Sequence, residues 1–341
     1  MKAIDLAEKG LAPDWLIRRG IRQLLGKRLI EEFDGDPQRR SARTQALMDE
    51  LAGSAIAIET DAANQQHYEV PAAFYELALG SHLKYSSALW SEGVDSLDEA
   101  EAAMLAATCE HAELADGQKI LELGCGWGSL SIWMASQYPN SRITAVSNSN
   151  SQRAWIESRA LDLGLGNLKV ITCDVNRLEL DERFDRAVSV EMFEHVRNYR
   201  ELLRRIGGWL DPDGKLFVHI FCHRYLAYPF ETEGDDNWMG RYFFTGGLMP
   251  AADTLLHFQD DFSLEHRKLY SGTHYARTAR AWLENLDSRR NAGRQVMQSV
   301  HGDQGDLWLQ RWRIFFMACE ELFAYDQGNA WLVAHYRFRR R

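Results

Sequence analysis

Apolar residues along the chain fall into two textures. From Lys119 to Phe221, short continuous runs alternate with stretches of helical period; the runs are KILELGCG, RITAVSNS, LKVITCDV, DRAVSVEM and KLFVHIF. Strands that are apolar on both faces and separated by helices predict an α/β fold, a doubly wound parallel sheet covered on both sides. Ligands of such sheets lie beyond the carboxyl ends of the strands. Glu191, Glu194 and His195, in VEMFEHVRNY, sit at one of those ends and therefore rim the predicted cleft.

The flanking regions read as helices. Between Leu11 and Ile30, Trp15, Leu16, Ile21, Leu24, Leu25 and Leu29 recur at helical spacing, with Arg18, Arg19, Arg22, Lys27 and Arg28 among them. This basic amphipathic pattern suits attachment to a membrane surface or a partner; packing on the protein's own body is the favoured reading. A second helical region runs to about Leu51, and Ser96 with Glu99 forms a capping-box pattern opening a helix to Leu114. The aromatic stretch between Cys222 and Phe262 interrupts the sheet pattern. Beyond it come a strand, FSLEHRKLY, a helix from Tyr275 to about Ser299, another around LWLQRWRIFFMACEELF, and a closing strand, AWLVAHYRF. The chain divides into an N-terminal helical region (1–110), the α/β core (111–222), an insertion (223–262), and the rest of the core with C-terminal helices and closing strand (263–341).

LELGCGWGSL follows a strand and opens a helix, with Gly124, Gly126 and Gly128 spaced G-x-G-x-G, so that backbone can approach a ligand at a helix N-terminus. A dinucleotide fingerprint would put Ser129 where its third glycine belongs and would want an acid about 20 residues on. The second strand instead ends TAVSNSNSQ, with no acid, which disfavours an oxidoreductase. S-adenosylmethionine fits better. Glu122 stands just before the glycines, and Asp174, after the third strand, is placed to accept from an adenine amine.

Charge narrows the classes. A net charge of −10 gives no electrostatic support for binding a nucleic acid backbone. Five cysteines without a C-x-x-C pair fit reduced thiols and predict neither disulfides nor a metal site. With no signal-peptide pattern and no apolar run of roughly 20 residues, the expectation is a cytoplasmic protein without integral membrane association.

With these motifs in order, the chain resembles the cyclopropane-fatty-acid-synthase-like superfamily of S-adenosylmethionine-dependent methyltransferases, and within it the coclaurine and pavine N-methyltransferases. The resemblance is carried by PDWLIR, HYEVPAAFYELALGSHLKYSSALW, LELGCGWGSL, SVEMFEHVRNY, FFTGGLMP, HFQDDFS, HYARTARAWL and WRIFFMACEELF. It implies a Rossmann-like class I methyltransferase sheet, with the N-terminal region covering the cofactor and the insertion as a lid, and members are often homodimers. It implies cofactor contacts from Tyr85, Ser86, Gly124 and Gly126. Asn148 and Gln152 would stand in for the missing acid at the ribose and methionine end, and Asp174 with Val175 would hold the adenine. Glu191, Glu194 and His195 match the family's essential cluster, and Glu69 matches a carboxylate near the bound amine. Relatives that methylate lipid double bonds usually carry Tyr-Ser-Cys where this chain has Tyr85-Ser86-Ser87, and a tyrosine near Phe315; both help hold a bicarbonate base. Glu194 and His219 have equivalents in both subgroups. The two losses tilt the choice toward a small, aromatic or heterocyclic amine substrate, with methyl or methylene transfer to unsaturated acyl chains as the alternative.

An alkylamine with a pKa of about 9 to 10 is mostly protonated at neutral pH, so a base must take its proton. The expectation is that Glu194 and His195 orient and deprotonate the amine, with Glu191 and Glu69 as supporting anions. A purely structural role is equally open for Glu191, and a hydrogen-bonded cleft residue without chemistry is the plainer reading of His195. Tyr228, Phe230, Trp238, Tyr242, Phe243 and Phe244 of the insertion are expected to wall a pocket for a planar cation, with His219 and Phe315 beside them.

Overall fold

The computed structural model describes residues 3–33, 35–58, 70–234 and 236–341. Five strands follow the apolar runs: β1 (Lys119–Leu123), β2 (Arg142–Ser147), β3 (Leu168–Thr172), β4 (Phe184–Val190) and β5 (Leu210–His223). They pair in parallel in the order β3-β2-β1-β4-β5. Strand order reverses at β1, whose neighbours are β2 and β4, and this reversal opens a cleft beyond their carboxyl ends.

The sheet is not wholly parallel. β8 (Phe262–Tyr270) and the closing strand β9 (Trp331–Arg340) complete it as β5-β9-β8, with β9 antiparallel to both neighbours. The long helix before β9, Gly305–Ala324, ends in a turn of four residues, 325–328, where Asp326 and Gln327 adopt left-handed φ of 49° and 54°. The turn leads the chain straight out of that helix into β9, which runs antiparallel to β5 and β8 along its whole length.

Before the sheet come α1 (Ala3–Glu8), α2 (Asp14–Glu32), α3 (Pro37–Gly53), α4 (Ala72–Ala78) and α5 (Leu97–His111). Asp36 caps α3 through the Gln38 N–H at 2.8 Å, and Ser96 with Glu99 completes the capping box of α5. The interleaved helices are α6 (Ser129–Gln137), α7 (Asn150–Asp162) and α8 (Tyr199–Trp209); the insertion carries α9 (Trp238–Tyr242) between the short strands β6 (Tyr228–Pro229) and β7 (Leu248–Met249). The helix expected from Tyr275 to about Ser299 is two, α10 (Gly272–Ser288) and α11 (Arg290–His301), parted at Arg289 by a ψ of 27°. Gly305–Ala324 is α12. The basic face of α2 turns partly inward: Arg18 binds Glu320 at 2.7 Å and Glu321 at 2.9 Å on α12.

Alternation along the strands divides the core. Leu121 and Leu123 face a cluster with Phe193, Tyr199, Leu202 and Ile206, while Ile120 faces Leu105, Leu130 and Met134 on the other side. A third, aromatic cluster of Phe74, Tyr75, Trp127, Trp282, Trp312 and Phe316 closes the carboxyl end of the sheet. Each such side chain contributes about 1.5 to 3 kcal/mol through burial, so the walls of the cleft are part of what holds the chain folded. Among the described residues no helix is long and apolar enough to cross a membrane.

Candidate active site

The loop after β1 is shaped by its glycines. Gly124 has φ of 75°, and a Cβ there would meet the Met192 Cβ at 2.6 Å; Gly128, also at 75°, would meet Ile156 at 2.6 Å. Gly126, at 52°, faces nothing within 4 Å, leaving its backbone open to a ligand.

Two cavities meet over this loop. One, of about 750 Å³, is lined by Gly124, Gly126, Asn148, Gln152, Asp174 and Val175. The other, of about 940 Å³ counting its open mouth, is lined by Tyr85, Ser86, Glu122, Trp127, Phe221, Phe244, Tyr275, Trp282 and Phe315 among others. Gly124, Gly126, Gln152, Glu191 and His195 border both. Asp174 is held by the Asn176 backbone N–H at 2.8 Å and Nδ2 at 2.9 Å. Gln152 Nε2 donates to none of the described residues, while its Oε1 accepts from Ser147 Oγ at 2.6 Å.

Glu191 stands at the shared border. Its φ of 48° is unusual for a residue with a side chain, and it turns the carboxylate sharply off the end of β4. Two donors and one imidazole, all of distant origin, hold that carboxyl group. Tyr275 Oη of α10 donates to Oε2 at 2.6 Å, the Ser87 N–H donates to Oε1 at 3.0 Å, and His219 Nε2 of β5 lies 3.1 Å from Oε1. Burial pushes the Glu191 pKa up, while Lys84, Tyr275 and Ser87 pull it down. Lys84 is itself buried in the wall, its ammonium bonded to Ser87 O at 2.8 Å, and desolvation lowers its pKa to about 8.

Not every expected residue reaches the cavity. Glu194 is fully buried and lines neither cavity. Its Oε1 accepts the Phe221 N–H at 2.7 Å, its Oε2 has no partner, and burial and then the Glu191 charge hold its pKa well above the ordinary range. The tight 3₁₀ turn Phe193–His195 sends these adjacent side chains apart: His195 lines the cleft and stacks on Phe244 at 4.8 Å. Glu122 accepts from Ser131 Oγ, and desolvation raises it to about 8, so it forms a protonated floor rather than an exposed anion. Glu69 lies outside the described residues.

The insertion contributes Phe244 alone of its six named aromatics. Tyr228 and Trp238 point into the aromatic core, where Tyr228 Oη accepts from Trp331 Nε1 at 3.0 Å and Trp238 Nε1 donates to Glu8 at 2.8 Å; Tyr242 lies under Arg311 at 4.0 Å, and Phe243 stacks on Phe315 at 4.4 Å. Phe230 packs against Phe244 at 4.8 Å. His219 sits behind Glu191. The wall includes Lys84, Trp127, Phe221, Tyr275 and Trp282, none of which motif spacing marks. A hydroxyl in HYARTARAWL was the one visible signal for Tyr275.

The donors present suit S-adenosylmethionine. Gln152 Nε2, Ser129 Oγ and Thr108 Oγ1 border the larger cavity, are buried, and have no hydrogen-bond partner among the described residues, which is costly unless a ligand pairs them. Among the described residues no cluster could hold a metal ion.

Residues 57–332 match the family described as mycolic acid cyclopropane synthetase. (S)-coclaurine N-methyltransferase of Thalictrum flavum subsp. glaucum is 37% identical over 98% of this chain and 94% of its own length. Pavine N-methyltransferase of the same plant is 30% identical over 99% and 96%. The crystal structure of coclaurine N-methyltransferase bound to N-methylheliamine and SAH superposes with a TM-score of 0.95 at 36% identity, covering 98% of this chain and 97% of that one. The chain belongs to the mycolic acid cyclopropane synthetase family, and within it is an S-adenosylmethionine-dependent N-methyltransferase.

Proposed function

We propose that the substrate is a small aromatic or heterocyclic amine, of the alkaloid type named for the relatives, and that Glu191 and His195 prepare its nitrogen. The observation carrying this reading is the position of Glu191, anchored by Tyr275, Ser87 and His219 where the two cavities meet. Bound S-adenosylmethionine supplies an electrophilic methyl group, and Gly124, Gly126, Asn148, Gln152, Asp174, Val175, Tyr85 and Ser86 would hold it.

The chain's own tasks are then three. Phe221, Phe244, Trp282 and Phe315 exclude water and offer ring faces to a cationic nitrogen, worth roughly 0.5 to 2 kcal/mol. The Glu191 carboxylate attracts the ammonium, and Lys84 offsets part of the burial that raises its pKa to about 7. His195, an imidazole that borders both cavities, takes the nitrogen proton. Glu194, one layer behind, supports the Phe221 backbone as a neutral acid. The acyl-chain alternative has less support: Ser87 Oγ donates to Ala88 O at 3.2 Å and Phe315 has no hydroxyl, so neither supplies the bicarbonate contact of the lipid-modifying relatives.

The test is radiolabelled methyl transfer to benzylisoquinoline, phenethylamine and β-carboline amines beside unsaturated phospholipid vesicles, with Glu191→Gln and His195→Ala assayed separately. Label in an amine, lost in both variants, supports the reading; label in lipid, or unchanged turnover in both variants, overturns it.

A further inference from the structure

Behind Glu191 three imidazoles continue its hydrogen bond across the sheet. His219 Nε2 is 3.1 Å from Glu191 Oε1, His219 Nδ1 is 2.9 Å from His335 Nε2, and His335 Nδ1 is 2.9 Å from His111 Nδ1. His219 on β5 and His335 on β9 are direct cross-strand partners, and His111 is the last residue of α5, where it is only partly buried. The column thus leads from the cleft to the solvent-facing end of a helix.

Burial lowers the pKa of all three rings, His219 and His335 well below the ordinary value. A neutral imidazole has one N–H and one lone pair, so the bonds allow only two column-wide arrangements. In one, His111 Nδ1, His335 Nε2 and His219 Nε2 all donate toward Glu191, which is a carboxylate. In the other every donor points away, and Glu191 is the acid donating to His219.

We propose that His335 and His111 are positioning residues that, through His219, set the charge of Glu191 by passing one proton between this carboxyl group and solvent at the end of α5. The proposal rests on the reading of Glu191 as the substrate-facing carboxylate. The transfer balances. With Glu191 as the acid, His219 and His335 protonated on Nδ1 and His111 on Nε2, the carboxyl proton moves from Oε1 to His219 Nε2. The His219 Nδ1 proton moves to His335 Nε2, and the His335 Nδ1 proton to His111 Nδ1. His111 yields its Nε2 proton to water. Each ring ends neutral as its other tautomer, and Glu191 ends as a carboxylate. The same bonds run backwards to reprotonate it.

The charged and titratable groups facing the column come from every element around it. Lys84, Glu194 and Tyr275 surround Glu191; Lys268 and His266 of β8 and Arg337 of β9 face His335 or His111, with Glu110 of α5 beside the latter and Tyr270 stacked on it at 6.2 Å. Among the described residues, none of these groups hydrogen-bonds to the three rings in place of the column.

Two near-isosteric substitutions in the full-length protein separate the arrangements. His111→Asn still offers an N–H to His335 Nδ1, whereas His111→Asp offers only acceptors and forces the acid arrangement. Nitrogen-15 NMR of labelled histidines reports the tautomers directly: His219 is expected to carry its proton on Nε2 in the parent protein and in His111→Asn at pH about 8, and on Nδ1 in His111→Asp. In parallel, the acid limb of the kcat/KM profile for an amine should move up by about one pH unit in His111→Asp, a loss of about tenfold on the limb, and stay in place in His111→Asn. Lys268→Met, beside the column but bonded to none of its rings, changes the net charge by the same amount and should leave the limb within about threefold. Unchanged tautomers in His111→Asp, or equal shifts in the Asn and Asp variants, overturn the proposal. Should Glu191→Gln keep full turnover, the amine reading falls instead, while the tautomers still decide the column.

Discussion

The two cavities that meet at Glu191 are built in opposite ways. The smaller one is made chiefly from the ends of β1, β2, β3 and β4, within residues 123–196, with Ala57 and Ile58 added from beyond α3. The larger gathers residues 83–86 and Leu105 from before the sheet, Phe221 from β5, Phe244 from the insertion, Tyr275 and Trp282 from α10, and Phe315 from α12. A wall of contiguous loops is set by local backbone geometry, which short motifs record. A wall of remote segments is set by packing, and each side chain on it has a second duty in the aromatic core.

The largest expected effect tests the border itself. Glu191→Gln keeps the shape and removes the charge, so kcat for amine methylation should fall by roughly 10²- to 10⁴-fold while S-adenosylhomocysteine affinity, measured by calorimetry, stays within about threefold. Gly124→Ala should split the other way. A side chain at φ of 75° against Met192 costs on the order of 1 to 3 kcal/mol, which predicts a cofactor affinity about 5- to 150-fold weaker with the tertiary wall intact. If both variants lose cofactor and turnover alike, the two cavities are not separable.

Tyr275→Phe probes the remote wall. Losing a 2.6 Å bond to a carboxylate costs about 1.5 to 3 kcal/mol, so kcat/KM should fall roughly 10- to 150-fold and the acid limb of its pH profile should move up, because the carboxylate loses a stabilising donor. Activity falls as pH drops through the raised pKa of Glu191, the carboxylate being the active form.

Glu122 gives a stability contrast. Its folded-state pKa is raised to about 8 by burial, so between about pH 4 and 8 the folded state binds more protons than the unfolded one, and this residue's contribution declines as pH rises through that window. Glu122→Gln removes the dependence. The Tm difference, variant minus parent, should grow from pH 5 to pH 8 by on the order of 5 °C, as read by thermal melts at fixed ionic strength. The smallest effect belongs to Trp238→Phe, whose indole binds Glu8 rather than lining the cleft: a Tm a few degrees lower, with kcat within about twofold.

Much of this molecule was legible before any fold was known. Continuous apolar runs located β1 to β5, Gly124 with Gly126 marked the glycine loop and Asp174 a strand end, while the family resemblance supplied Asn148, Gln152 and Val175; these six residues line the smaller cavity. The roles assigned along the remote wall were harder. Glu194 and His195 are adjacent in sequence, yet a single 3₁₀ turn buries one and exposes the other to the cleft. Tyr228, Trp238 and Phe243 are aromatic like Phe244 and share its insertion, yet of these four only Phe244 borders the cavity.

What the chain determined by itself is whatever depends on neighbours in sequence: alternation, caps, glycine backbone, and the identity of residues at strand ends. Tertiary structure alone decided that β9 enters antiparallel between β5 and β8, which places His335 against His219, and that Tyr275, Ser87 and His219 converge on one carboxylate. Those encounters join residues up to 188 positions apart along the sequence, as Ser87 and Tyr275 are. No local pattern encodes them, because their energies arise only once distant segments have been packed into one desolvated wall.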